Sequence, residues 1–270
     1  MTNTSSQTLP EYKNPPVNEV VCGILFETIK QFLVPHFGLL WEKFRAEFPR
    51  CRHVDPLMPV IEGPTRPQPD SVLSEVPLPR IWFLHDDGRI IQVQRDRFHH
   101  NWRKLKPTDE YPRYKTVFQM FQAHLDTFRE FLKEHDLGEI TPRQYEMTYV
   151  NIIPQGEGWE KEDDIHKVFP DFNWGRIKDR FLPIPVSVDW QTHFALPEGA
   201  GRLNIKIQSA VRIADKQRLL RLEITARGIG TNSSLDGMQD WFALAHEWIV
   251  RGFADFTDTQ IQKNVWGRIQ

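Results

Sequence analysis

The densest run of side chains able to do chemistry lies at residues 92–104. There Gln92, Gln94, Arg95, Asp96, Arg97, His99, His100, Asn101, Trp102, Arg103 and Lys104 follow the apolar residues Ile90, Ile91 and Val93. Guanidinium forks chelate phosphate oxygens, and an aromatic plane stacks on a base. Arg95, Arg97, His100, Asn101 and Arg103 are therefore the candidates for holding a ligand or phosphate, and they are expected near a sheet edge. The competing reading is a strand end whose charges satisfy one another, since single-strand binders usually present a wider basic and aromatic surface. Adjacent histidines in extended chain point to opposite sides, so His99 and His100 are not expected to chelate one ion. His85, Asp86 and Asp87 sit where turn geometry alone calls for Asp. No metal site is expected.

The pair His246-Glu247 could share a proton at a cavity mouth. Successive helical residues diverge by about 100°, however, so only one of them can face a sheet, and His246 is expected at the rim of a buried face or bonded to a strand. Nucleophile motifs are missing: there is no G-x-S-x-G elbow, and the run GIGTNSS from Gly228 lacks the Lys of a phosphate loop. Ser233 or Ser234 reads better as a helix N-cap. No catalytic residue and no cofactor is expected. Cys22, inside an apolar run, and Cys51, between Arg50 and Arg52, are too far apart for a C-x-x-C motif and read as reduced thiols.

Among the 9 tryptophans, most are expected in the core, while Trp159, Trp174 and Trp266 stand among polar or loop residues. Trp is favoured where an apolar body meets a polar N–H, so these three are the candidates for a partner surface. With 34 basic and 36 acidic side chains the formal charge is −2, and no global field attracts a polyanion. Residues 1–20 are polar and Pro-interrupted, and no run approaches the ~18 apolar residues of a membrane span. The expectation is a cytoplasmic protein without membrane attachment.

The elements that must position these residues follow from periodicity. The 40% hydrophobic content, with 18 Phe, supplies a core for one domain over 1–270, either undivided or built as halves 14–153 and 184–260. Residues 17–26 read as a strand after Pro15 and Pro16, and 29–48 as one or two helices broken at Pro35. Eight prolines between 49 and 79 mark a surface excursion and the best internal boundary. Asp87-Gly88 joins 81–84 to 90–93 as a hairpin. A helix over 113–135 carries the stripe Val117, Phe118, Phe121, Leu125, Phe128 and Leu132. Strands follow at 144–153, 186–194, 203–213 and 219–226, with a loop and a short helix near 160–168 between the first two. A turn at Asp215-Lys216 would set Ile207 opposite Ile224, Gln208 opposite Glu223, and Lys206 diagonal to Glu223. The last helix, 235–253, turns Met238, Trp241, Phe242, Ala245, Trp248, Ile249 and Phe253 to one broad face.

This order predicts an α+β fold with a curved, mostly antiparallel sheet on a long C-terminal helix. With 113–135 read as an inserted helix and 49–79 as an excursion, it resembles the helix-grip order. The segments NPPVNEVVCGILFE, IIQVQRDRFHHNWRK, YVNIIP, GRLNIKIQSA and AHEWIVRGFADFT together resemble, end to end, a bacterial family of similar size described as sporadically distributed. That resemblance implies no activity and no catalytic residues; scattered occurrence is compatible with defence-associated genes. The leading expectation is a non-catalytic binding or interaction protein offering a cavity or sheet edge to a small ligand or protein partner, with homo-oligomers allowed. The alternative is a nucleotide- or nucleic-acid-interacting component, enzymatic or not, of a bacterial defence module.

Overall fold

The structure is a computed structural model, which describes residues 8–58, 60, 78–174, 179, 181–230 and 234–269. Its strands are β1 (Val17–Phe26), β2 (Arg50–Val54), β3 (Arg80–Leu84), β4 (Ile90–Gln94), β5 (Arg97–Arg103), β6 (Pro142–Pro154), β7 (Asp189–Ala195), β8 (Arg202–Val211) and β9 (Arg218–Gly228). The helices are α1 (Val34–Phe44), α2 (Arg113–Glu134), α3 (Ile165–Val168), α4 (Met238–Phe256) and α5 (Thr259–Asn264). All nine strands form one curved, open antiparallel sheet in the order β2-β3-β4-β5-β1-β6-β9-β8-β7. The fold is α+β with the long C-terminal helix packed on the sheet, as the periodicities predict.

The topology has an internal symmetry. β1 pairs with β5, the last strand of the meander β2 to β5, and β6 pairs with β9, the last strand of the meander β7 to β9. β1 and β6 meet antiparallel at the centre, with Val20 opposite Tyr149, Cys22 opposite Met147 and Ile24 opposite Tyr145. A pseudo-twofold therefore passes near the Cys22–Met147 pair. The offset is 125 residues, both from Val17 to Pro142 at the first strands and from Arg113 to Met238 at the closing helices. The helix read as inserted, α2, thus holds in the first half the place that α4 holds in the second.

Both helices cover the same face of the sheet. Val20, Cys22 and Ile24 of β1, Phe98 and His100 of β5, Tyr145, Met147 and Tyr149 of β6, and Leu203, Ile205 and Ile207 of β8 are buried beneath them. The period-2 alternation that placed these side chains on one face sends their neighbours to the other. Phe121 and Phe242, one from each helix, close the core between the halves with ring centroids 5.4 Å apart. Among the described residues no helix is long and apolar enough to cross a membrane.

Several boundaries differ from those read in the sequence. Helix α1 starts at Val34, because Pro35 lacks an N–H and fits the first turn of a helix rather than its interior. The Pro-rich stretch contains β2, an exposed edge strand paired to β3. It has no apolar period, and so no periodicity could reveal it. Residues 59 and 61–77 of that stretch lie outside the described residues, as does Ser233; Ser234 stands at the N-cap of the 3₁₀ turn that leads into α4. The β3–β4 hairpin forms around Gly88 at φ 95°, with the His85 N–H donating to the Arg89 carbonyl at 3.0 Å. A Cβ at Gly88 would also meet the Arg103 carbonyl at 2.1 Å. The β8–β9 register is shifted by two from the expected one: Ile205 faces Ile224, Ile207 faces Leu222, and Lys206 faces Glu223 directly. The chain reverses over 212–217 with Lys216 at φ 61°. An even shift keeps the same face buried, which is why the alternation alone could not fix it.

Candidate functional site

A cavity of about 400 Å³ on the helix side of the sheet opens between the start of α2, the middle of α4, the centre of β6 and the chain leading into β1. Each element contributes by its own period. β6 points Tyr149 and Asn151 to the helix side, two residues apart. Helix α4 presents His246, Ile249, Val250 and Phe253, spaced three and four apart along one face. The first turn of α2 adds Arg113, Tyr114 and Lys115, with Tyr111 just before it, and the incoming chain adds Tyr12. Of the chain's 5 tyrosines, four line this space.

The chain that walls the cavity is fastened by the C-terminal segment. Lys13 and Asn14 donate their backbone N–H groups to the carbonyls of Gly267 and Trp266 at 3.1 and 3.0 Å, and Ile269 donates to Glu11 at 2.8 Å. The Tyr12 hydroxyl donates to Gln262 Oε1 at 3.3 Å, and Arg113 Nη2 donates to the Tyr12 carbonyl at 3.2 Å. Arg113 itself sits at φ 70°, in the left-handed region that a non-glycine residue seldom adopts.

Inside, the Tyr111 and Tyr149 hydroxyls are 2.6 Å apart, and Tyr114 stacks on His246 with centroids 4.1 Å apart and planes 10° from parallel. Burial pushes the Tyr12 phenol up to about 12 and raises those of Tyr111, Tyr114 and Tyr149. Burial also lowers His246 to about 4, against the opposing pull of Glu247. At neutral pH the interior is thus uncharged: aromatic faces, phenol hydroxyls, a neutral imidazole and the Asn151 amide. The cations Arg113 and Lys115 and the carboxylate of Glu11 stand around it. Such a site can hold a ring by stacking and donate hydrogen bonds to its acceptors. His246, expected at the rim of a buried face, is in the wall of this cavity.

The candidates at 95–103 do not converge. β5 lies inside the sheet between β4 and β1, not at an edge. The polar run ends the apolar pattern of β4, as a strand end would, but the chain turns at Arg95-Asp96 and returns as the interior strand β5, whose Asn101 finds its partners on β4 and β1. Arg95 is in the β4–β5 turn and donates to the carbonyls of Ile29 and Lys30. Arg97, buried on the face away from the helices, forks onto Asp96 with two contacts of 3.1 Å. On that same face Asn101 accepts from Gln92 Nε2 and donates to Glu19 Oε1, each at 2.6 Å, and Gln92 Oε1 accepts from Arg80 at 2.8 Å and from the Trp82 indole at 3.0 Å. Arg103 is on this face too, opposite Glu19 in register. His99 lies over Gly23, where a Cβ would be 2.2 Å from its ring. His100 points to the helix side, its Nδ1 3.1 Å from Nδ1 of His124, which in turn meets Glu47 at 3.5 Å. The two adjacent histidines therefore occupy opposite faces, as extended geometry requires.

Two of the three tryptophans proposed for a partner surface are core residues. Trp159 is 3% exposed and donates its indole N–H to the Ile153 carbonyl at 3.2 Å. Trp266 is 1% exposed, packed edge-on to Tyr12 and beside Phe253. Each is covered by chain from elsewhere, with Arg218 of β9 over Trp159 and Tyr12 and Phe253 against Trp266, contacts no local pattern encodes. Trp174 is half-buried. Conversely, Tyr12, Tyr111, Tyr114, Tyr149 and Asn151 come from three distant stretches of chain with no common spacing, so no sequence pattern groups them as a site. The one signal pointing there was His246.

No family model and no curated protein matches this chain. Among solved structures, the chain is similar to the crystal structure of DynU16, a protein of the dynemicin biosynthetic locus, with a TM-score of 0.27 at 10% identity over 88% of this chain and 96% of that one. A likeness of that size carries no argument about fold or function.

Proposed function

We propose that this protein is a non-catalytic binding protein whose ligand is a small planar molecule bearing hydrogen-bond acceptors, held in the cavity between α4, the start of α2 and β6. The observation that carries this reading is the convergence of four tyrosines and a neutral, stacked histidine on one cavity of about 400 Å³, within the usual range of small-molecule sites. The Tyr111–Tyr149 hydroxyl pair supports it as well. One of the two hydroxyls donates to the other, which leaves a second O–H to donate elsewhere. Uncharged donors inside and cations at the mouth suit a ring carrying carbonyl, hydroxyl or carboxylate oxygens.

Fluorescence titration with 2-naphthoate, a flat ring with an acceptor group, tests the reading. The expected result is saturable quenching with one site per chain. Val250→Trp, which fills the mouth, should abolish it, and Tyr111→Phe should weaken it about tenfold, the ~1.4 kcal/mol of one hydrogen bond. Binding of equal strength in Val250→Trp, or no saturable quenching by 2-naphthoate, refutes it.

A further inference from the structure

Among the described residues the nine-stranded sheet is open and ends in two edge strands, β2 and β7. An unpaired edge offers a row of backbone donors and acceptors to any other strand, and proteins that stay monomeric commonly blunt it with charge, Pro, bulges or shortness. β2 is blunted: it is 5 residues long, RCRHV, with Arg50 and Arg52 exposed. Paired antiparallel with a copy of itself about its centre, it would set Arg52 against Arg52. β7 is not blunted. It has 7 residues, DWQTHFA, with no Lys, Arg or Pro, and it pairs with β8 without a register break.

We propose that β7 is the contact through which two copies of this chain join, antiparallel edge to edge, extending the sheet across a twofold axis at Thr192. The direction of its backbone groups supports this. Ser209 donates its N–H to the Val188 carbonyl at 2.8 Å and Leu196 donates to Gly201 at 2.9 Å, so the even-numbered residues of β7 bond inward to β8. In an antiparallel ladder the alternate residues then point their N–H and C=O outward, here Asp189, Gln191, His193 and Ala195.

A twofold at Thr192 places Gln191 opposite His193 and Asp189 opposite Ala195 in outward hydrogen-bonded pairs. No like charges meet. On the helix side it sets Trp190 against Phe194 twice, in the closer, non-hydrogen-bonded spacing that favours aromatic pairs. Both residues already pack on Phe256 of α4 with centroids 5.8 Å away, and Phe194 is 40% exposed. The chain running into β7 and the end of β8 beside it add the exposed apolar residues Phe181, Val186, Val211 and Ile213. The contact lies at the outer strand, apart from the ligand cavity at β6, so either can stand without the other.

Light scattering on the eluting full chain, over a dilution series, should give twice the monomer mass at the concentrated end. His193→Pro removes an outward donor and leaves the inward backbone bonds to β8 whole, losing towards β8 the side-chain contact with Asn204, and should return the mass to that of a monomer; Arg52→Glu at the other edge should leave the dimer intact. In a Cys51→Ser background, Thr192→Cys should form an intermolecular disulfide on mild oxidation. A monomer at every concentration, or a dimer unaffected by His193→Pro, overturns the proposal. If far-UV circular dichroism shows that His193→Pro loses the fold, the Thr192→Cys cross-link decides: its formation supports the twofold and its absence refutes it.

Discussion

Lowering the pH from 7 to 5 should destabilise this protein steeply, and the reason is a set of buried neutral histidines. Burial lowers His99 and His246 each to about 4, and it also lowers His100 and His124. An unfolded histidine titrates near 6.5. Below that pH the unfolded chain takes up protons that the folded chain refuses, so stability that is whole above ~6.5 is lost as the pH falls towards the folded value. Each such histidine costs about 1.4 kcal/mol per pH unit in this window. Over the ~1.5 units from 6.5 to 5, His99 and His246 together account for up to about 4 kcal/mol, and His100 and His124 add in the same direction. A domain has about 5–15 kcal/mol in all. Carboxylates held low, such as Glu146 beside Arg227 and Asp87 beside Arg89, lose their stabilising charge only below their ordinary unfolded range near 4, so above 5 the histidines set the slope, with Glu157, whose carboxyl burial raises, acting against them. Urea unfolding followed by tryptophan fluorescence at pH 7.5, 6 and 5 measures the slope, and His99→Gln with His246→Gln should flatten it by about half. An unfolding free energy that is level between pH 7.5 and 5, or a slope unchanged in the double variant, refutes the reasoning.

Two further substitutions probe the polar face. Gly23→Ala drives a Cβ to 2.2 Å from the ring of His99, itself fixed at 2% exposure, and should cost about 1–3 kcal/mol of stability by overpacking; adding His99→Ala should restore most of it, and an equal loss in both backgrounds would show that the contact is not the cause. Asn101→Leu leaves both the Glu19 carboxylate and the Gln92 amide without their 2.6 Å partner and should cost about 1–3 kcal/mol in thermal or urea unfolding; a loss below about half a kcal/mol would mean that solvent replaces the bond.

Local pattern settles the classes and faces of most elements. Alternation in 203–213 and 219–226, the stripes of α2 and α4, and the Asp87-Gly88 turn each follow from a period or a backbone requirement that acts over a few residues. Those local rules fix which side of a strand is apolar, and the structure buries that side where a helix covers it; β8 ends at Val211, so Val211 and Ile213, which continue the apolar period of 203–213, are exposed. They do not fix which strands become neighbours. The polar run at 97–103 has the pattern of a strand end and is an interior strand, because Glu19 and Glu146, remote in sequence, and Gln92 across the hairpin supply partners that a strand end would find in water. Trp159 and Trp266 looked exposed and are buried by chain returning from far away. The tyrosines of the cavity show the same limit: Tyr12, Tyr111, Tyr114 and Tyr149 carry no spacing signal, and Tyr12 meets Tyr149 because β1 and β6 pair antiparallel, which sets the chain entering β1 beside the latter part of β6. Periodicity reports the burial of one element against an unspecified surface, whereas a binding site requires the identity of that surface, which the pairing of distant strands alone decides.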